Sequence, residues 1–257
     1  MGQDRNALIE TALAAARAAG AAILDIYGQA FVVREKEDRS PVTLADERAE
    51  AIIIERLAAA APEIPVVAEE LAERHGLPGV AASRFWLVDP LDGTKEFIAG
   101  NGEFTVNVAL VEGDRPVLGV VHVPVTGVTY WGAGPGTARR QAKEEPPQPI
   151  AARAVPARGA IVVHSRSHRD DARLDRFIAD LAEAQRRISG SSIKFCLLAA
   201  GEADLYPRFG RTMEWDTAAG QAVLEAAGGA VATLDGRPLR YGKSDFANPD
   251  FIARGRG

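Results

Sequence analysis

An α/β layered fold, α+β in its first half, is predicted by three features of the sequence. Apolar residues at helical spacing open the chain. β-Branched runs separated by Gly, Asp and Pro turns then read as an antiparallel meander. The second half alternates strand and helix, the pattern of layered α/β proteins. The 257 residues are 47 % hydrophobic and 25 % charged, which is ordinary globular composition with ample chain for a core.

Residues Leu8, Ile9, Leu13, Ala16, Ala19 and Ile23 predict a first helix of about twenty residues, capped by Asn6 and ended by Gly28. A strand is expected over 31–34, then a polar loop to 40. A second helix should open within 40–46 and end near Pro62, with Thr43 and Asp46 spaced as in a capping box. The run 64–68 reads as a strand ending in Glu69-Glu70, and 71–83 as a surface connection. Phe85 to Val88 is a short buried strand that Asp89-Pro90 should stop, because proline cannot extend a central ladder. The meander covers 104–111, 116–123 and 127–131. A Gly-, Pro- and charge-rich stretch follows, so the expected division is an α+β unit over 1–135, a connecting hairpin over 136–158 and an α/β unit over 159–257. Strands at 160–164, 187–188 and 204–206 should alternate with helices at 170–182, 192–200 and 216–227.

A net charge of −5 argues against general binding to nucleic acid or a membrane surface, and leaves room for a small anionic ligand. The single Cys196 excludes an internal disulfide and suits a reducing compartment; in its apolar run it reads as a buried, inert thiol. No run reads as membrane-spanning and the first residues lack a basic leader, so a cytoplasmic protein is expected.

The chemistry gathers in Asp89-Pro90-Leu91-Asp92-Gly93-Thr94. Two carboxylates three residues apart repel each other unless a cation neutralises them or one takes a proton. The Gly93 and Thr94 N–H groups that follow can face an anion such as phosphate. A solvated turn is the bland alternative for this stretch, and a helix cap the bland alternative for Asp46 and Asp216. Glu69 and Asp216 stand at two further element ends. Four carboxylates without His or Cys would make an all-oxygen site, suited to Mg²⁺, Mn²⁺ or Ca²⁺ rather than zinc, with the Leu91 carbonyl as an added ligand.

Glu69-Glu70, Asp89 to Thr94 and Trp215-Asp216-Thr217-Ala218-Ala219-Gly220 resemble the three signatures of the inositol monophosphatase-like, lithium-sensitive phosphatase superfamily. Asp92 to Phe97, Asn101 to Asn107, Ser165 to His168, Gly190 to Cys196 and Leu205 to Gly210 are similar to its bacterial 3′(2′),5′-bisphosphate nucleotidases of the CysQ type. Inositol phosphatases typically continue Asp-Gly-Thr with Thr-Asn-Phe, where this chain has Lys95-Glu96-Phe97. The resemblance spans nearly the whole chain and implies an alternating α-β-α-β-α sandwich. It implies one Mg²⁺ on Glu69, Asp89 and the Leu91 carbonyl, a second on Asp89, Asp92 and Asp216, and a third, weaker ion near Glu69. Thr94, oriented by Asp46, would position and deprotonate the attacking water, with no phosphoenzyme. Asp46, Glu69 and Thr94 are thus the expected catalytic residues. Gly93, Thr94, Ser165, His168, Gly190, Lys194, Arg208 and Asp216 are the expected substrate-binding residues, with Lys194 meeting the non-scissile 5′-phosphate as a point charge. Residues 160–211 hold nine Lys/Arg against seven Asp/Glu, which suits an anion there, although Arg166, Arg169, Arg173 and Arg176 read mostly as a solvated helix face.

The implied reaction removes the 3′-phosphate of adenosine 3′,5′-bisphosphate, and of its 5′-phosphosulfate analogue, in sulfate assimilation. Inositol 1-phosphate or fructose 1,6-bisphosphate is the alternative substrate for the same chemistry. A silent metal- or nucleotide-binding regulator is the alternative outside enzymology, although Asp46, Glu69, Asp89, Asp92, Thr94 and Asp216 are all present. A monomer is expected. The resemblance also admits peripheral association with the cytoplasmic membrane face, for which the sequence shows no amphipathic anchor.

Overall fold

The computed structural model describes residues 5–27, 33–35, 41–77, 83–166 and 172–257. The expected cap at Gly28, the start of the 31–34 strand, the loop over 36–40 and the start of the 170–182 helix lie outside them. Helix α1 (Arg5–Leu24) buries Leu8, Ala12, Leu13, Ala16, Ala19 and Ile23 along one stripe. β1 (Val33–Glu35) and β2 (Pro41–Thr43) pair antiparallel ahead of α2 (Leu44–Ala60), which packs on α1. The sequence did not reveal β2: a proline and two β-branched residues take extended backbone there, so the helix opens at Leu44.

β3 (Val66–Ala68) runs into α3 (Glu69–His75), within a stretch expected to be a plain connection. Acidic residues in its first turn and Arg74 and His75 in its last complement the helix dipole. β4 (Arg84–Asp92) pairs parallel with β3 and does not stop at Asp89-Pro90. Its partner β5 (Thr105–Glu112) sets Asn107 opposite Asp89 and Thr105 opposite Asp92, so β4 carries one residue more than its neighbour. Pro90 falls inside this bulge, where no ladder N–H is required of it. Between these strands lies the short helix α4 (Thr94–Ile98). The meander continues as expected through β6 (Arg115–Val123) and β7 (Val128–Gly132). β8 (Arg139–Ala142) and β9 (Gln148–Pro149) complete a seven-stranded sheet in sequence order from β3 to β9.

The rest of the chain alternates β10 (Ile161–His164), α5 (Ala172–Ala179), β11 (Gln185–Ile188), α6 (Ile193–Ala199), β12 (Leu205–Arg208), β13 (Thr212–Met213) and α7 (Glu214–Ala226). It ends with β14 (Ala230–Thr233), β15 (Ala247–Asn248) and β16 (Phe251–Arg254). A second sheet has the order β11-β10-β12-β16-β14, parallel in its first three strands and antiparallel after β12. β14 and β16 had no place in the sequence reading.

Alternation along β4 divides the core. Trp86 and Val88 pack with α1 and α2, while Phe85 and Leu87 face the opposite way. That second core takes in α6, α7 and Val163, Tyr206 and Phe251 of the five-stranded sheet. On the sheet's far face, Val162 and Leu205 meet Leu174 and Ile178 of α5. The layers are therefore α-β-α-β-α. By length and composition alone α1 is apolar enough to cross a membrane, a test that a buried core helix also passes; here its stripe packs on α2 and β6.

Helix α7 is buried nearly all round, as a helix between two sheets must be. It approaches the seven-stranded sheet where two strands lack side chains. A Cβ on Gly119 would lie 2.3 Å from the carbonyl oxygen of Ala219, and one on Gly132 would lie 2.5 Å from Cβ of Ala226. Gly119→Ala should therefore destabilise the protein by about 3 kcal/mol, since backbone must move to admit the methyl. Urea unfolding would show it, and an unchanged midpoint would contradict this account of how α7 is seated.

Candidate active site

Three junctions converge at one end of the large sheet. β3 gives way to α3 at Glu69, the β4 bulge presents Asp89 and Asp92, and β13 hands over to α7 just before Asp216. Glu69, Asp89 and Asp216 each place a carboxylate oxygen within 4.8 Å of the others. Asp89 is 2 % exposed, and its Oδ1 accepts the Leu91 N–H at 3.0 Å. Burial, then the charges of Glu69, Asp92, Asp216 and Asp46, holds its carboxyl well above the usual range. Asp216 is pushed up to about 7, by burial first and by Asp92 second, against the pull of a 2.8 Å bond from the Met213 N–H. The sequence placed Asp216 as the N-cap itself; instead α7 opens at Glu214, and Asp216 reaches back from its first turn to the N–H of Met213, which fixes the carboxylate that faces Asp89.

Asp92 stands beside this trio, with Oδ2 accepting from Thr105 Oγ1 at 3.4 Å and Asn107 Nδ2 at 3.3 Å. Asp46, buried in the first turn of α2, accepts from Thr94 Oγ1 at 3.4 Å. The same hydroxyl lies 3.3 Å from the Leu91 carbonyl, so one proton is shared between two acceptors. Gly93 has φ of +96°, a left-handed turn that starts α4 at Thr94. The structure thus joins Asp46 to Thr94 and gathers Glu69, Asp89, Asp92 and Asp216. An all-oxygen set in which Asp89 and Asp216 are held above the usual carboxylate range is suited to a hard divalent cation, which would reverse those two shifts.

Beside Asp92 and Asp216 opens a cavity of 130 Å³, lined also by Gly93, Glu96, Ser165, Ser191, Lys194, Tyr206 and Arg208. Lys194 is 4 % exposed; its Nζ donates to the carbonyls of Ser191 at 2.5 Å and Ser189 at 3.4 Å and stands 5.1 Å from the Tyr206 ring centre. Burial pushes its ammonium down to about 8, against the opposing pull of Asp92. Burial likewise raises Glu96. Arg208 donates to Ser165 Oγ at 3.3 Å and to the Arg211 carbonyl at 3.0 Å. Gly190 sits behind this wall: its N–H meets Glu103 Oε2 at 3.1 Å, and a Cβ there would lie 2.4 Å from the Glu103 carbonyl oxygen. His168 and Arg169 lie outside the described residues. On the other side of Asp216 a cleft of 680 Å³ runs between α3 and residues 211–216.

Two arginines assigned to a solvated face are engaged. Arg166 bonds Glu103 at 2.9 Å; Arg173 bonds Asp250 at 2.8 Å and lies over Phe209. Cys196 is fully buried, its thiol pushed up by desolvation. Sequence reasoning assigned no part to Glu96, Asn107, Ser191, Ser192 or Tyr206, although each lies inside a stretch it had singled out.

A carboxylate whose folded pKa is raised stabilises the fold below the unfolded pKa, and that contribution is lost as pH rises through the folded value. Asp89 and Asp216 both behave so. In EDTA the melting temperature should therefore fall as pH rises from about 5 to 8, and Mg²⁺ should flatten that slope. Asp89→Asn should raise the EDTA melting temperature at the upper end by roughly 2–4 °C, worth about 1 kcal/mol in a chain of this size. A flat EDTA profile in calorimetry would show that the cluster is not strained.

The sequence matches the inositol monophosphatase family over residues 4–254. It is 46 % identical to the 3′(2′),5′-bisphosphate nucleotidase CysQ of Salmonella typhimurium over 252 residues, covering 95 % of this chain and 98 % of that one. The corresponding protein of Escherichia coli strain K12 is 47 % identical over 243 residues, covering 92 % and 95 %. Among solved structures, CysQ from Bacteroides thetaiotaomicron, a bacterial member of the inositol monophosphatase family, superposes with a TM-score of 0.79 at 39 % identity over 98 % of each chain. The chain belongs to the inositol monophosphatase family.

Proposed function

We propose that this protein is a Mg²⁺-dependent phosphatase that removes the 3′-phosphate of adenosine 3′,5′-bisphosphate, and of its 5′-phosphosulfate analogue, by direct attack of water. The observation that carries the reading is the juxtaposition of a carboxylate cluster with a small cavity holding a buried lysine. A substrate with two phosphates can bring one to each. The relatives named as bisphosphate nucleotidases support the same choice over inositol or fructose phosphates.

Glu69, Asp89, Asp92, Asp216 and the Leu91 carbonyl would hold two magnesium ions, with a third near Glu69. Magnesium, when bound, neutralises charge on the scissile phosphate and lowers the pKa of the attacking water. The N–H groups of Gly93 and Thr94 meet that phosphate. Thr94 Oγ1 takes the water's proton while handing its own to Asp46, its hydrogen-bond partner. Attack in line breaks the bond to the 3′-oxygen, which keeps the bonding electrons and takes a proton from solvent water to leave as the ribose hydroxyl. Lys194 and Arg208 hold the 5′-phosphate in the adjoining cavity, and Ser165 keeps Arg208 oriented. Desolvation of Lys194 means that its charge is strengthened when an anion arrives. The protein works on a free nucleotide, as a monomer in the cytoplasm.

Phosphate release should favour adenosine 3′,5′-bisphosphate over inositol 1-phosphate and fructose 1,6-bisphosphate, and Asp92→Asn should abolish it. Preference for a sugar phosphate would overturn the substrate assignment and keep the metal chemistry. Thr94→Ala should lower kcat by about a hundredfold or more with KM little changed. Lys194→Met should instead raise KM for the bisphosphate by about tenfold to a hundredfold, the worth of a hydrogen bond to a charged group. Lithium should inhibit by displacing a weakly held Mg²⁺, and activity indifferent to lithium would exclude that part.

A further inference from the structure

Asp92 and Asp216 come from different layers, one from a strand end in the large sheet and one from the head of α7. A single buried hydrogen-bonded chain joins them. Asn107 on β5 sits opposite Asp89 in the ladder and is 1 % exposed. Its Nδ2 donates both to Asp92 Oδ2 at 3.3 Å and to Ser192 Oγ at 3.0 Å. Ser192, also 1 % exposed, donates its own proton to the main-chain oxygen of Asp216 at 2.8 Å.

Direction is fixed at every link. Because the Ser192 proton is committed to Asp216, its oxygen can only accept from Asn107, which must then present its NH₂. A flipped amide would set Oδ1 against the Asp92 carboxylate and the Ser192 oxygen together. The chosen orientation has a cost: Asn107 Oδ1 is buried without a hydrogen-bond partner among the described residues. An amide placed for packing would satisfy both ends, whereas this one is oriented by the charge on Asp92. Thr105 adds a second donor to the same Oδ2, which leaves Oδ1 as the Asp92 oxygen presented to a ligand. Ser192 also immediately precedes α6, whose first turn carries Lys194.

We propose that Asn107 and Ser192 are positioning residues that fix the separation of Asp92 from Asp216 and tie that separation to the start of α6. The proposal rests on the reading of those two carboxylates as cation ligands. Neither residue touches the cation or substrate; they act through the groups they hold.

The test is Mn²⁺ binding to the substrate-free full chain, followed by electron paramagnetic resonance of the free ion, for Asn107→Leu, Ser192→Ala, Ser192→Thr and the double variant Asn107→Leu/Ser192→Ala. Asn107→Leu and Ser192→Ala should each weaken Mn²⁺ affinity by about tenfold or more, the usual effect of losing a group that orients a ligand. Ser192→Thr keeps the hydroxyl and should stay within about threefold of the parent. The double variant should be no worse than the weaker single one, because both changes cut one chain. The Mg²⁺ needed for half-maximal phosphate release should rise in parallel, with kcat recovered at saturating Mg²⁺. Thermal melting identifies the variants that fold, and Ser192→Ala, which removes one oxygen, keeps the test alive if Asn107→Leu does not. Unchanged Mn²⁺ affinity in folded variants, or effects that multiply in the double variant, would overturn the proposal alone. A parent protein that binds no Mn²⁺ would overturn both this proposal and the cation reading beneath it.

Discussion

Mutual repulsion among carboxylates is the constraint around which this molecule is arranged. Asp89 is buried and feels Glu69, Asp92, Asp216 and Asp46 at once. No fold would assemble such a group for stability, because each added charge raises the cost of ionising the one at the centre. The cluster persists because its members sit on elements whose positions are decided elsewhere, in apolar layers that do not relax when charges accumulate at their ends. Other buried acids show the contrast. Asp204 accepts two hydrogen bonds from Arg153 and one from the Ile161 N–H. Glu214 accepts from the backbone of Gly242 and Lys243 and pairs with the Lys243 ammonium. These two structural carboxylates have cationic partners of their own, whereas the charges that bear on Asp89 are other carboxylates.

Layering is how the strain is contained. The seven-stranded sheet supplies Asp89 and Asp92 from one strand, and α7 supplies Asp216 from a helix that is core to both sheets. Beneath Asp216, Thr217, Gln221, Tyr241 and Asn248 form a buried, mutually bonded polar cluster that fixes the helix start against the 241–248 loop. Polar groups satisfied in this way hold one geometry rather than several.

Much of this could be read from residue order alone. The helical stripe of α1, the meander and the strand–helix alternation are written in periodicity, which reports directly on faces that must be buried. The carboxylate-bearing stretch could be read because Asp, Pro and Gly are restricted in where they can stand. What the sequence hid has physical reasons. β4 passes through Pro90 because a bulge removes the demand for its N–H, and bulges depend on the partner strand. β14 and β16 owe their place to neighbours far along the chain, so local propensity does not announce them. α3 begins on the two glutamates that the sequence reads as the end of a strand, and the chemistry of that pair masked its helical signal. At the site, the roles of Asn107 and Ser192 depend on contacts across 85 residues of chain, which no local pattern encodes. Gly190 was read as a binding residue, yet its lack of a side chain is explained by the approach of Glu103.

The two glycines under α7 have a consequence for how the family could diversify. A helix seated on a sheet through missing side chains cannot slide by a fraction of a turn without collision. Asp216 is therefore fixed in place with its helix, and the spacing between its carboxylate and the strand-borne ones is no free variable. Variation in what the protein accepts must enter through wall residues that are not bonded to that seat, such as Ser165 after β10 and the arginine on β12. A rigid chemical centre beside an adjustable wall allows the fold to change its substrates while leaving its reaction intact.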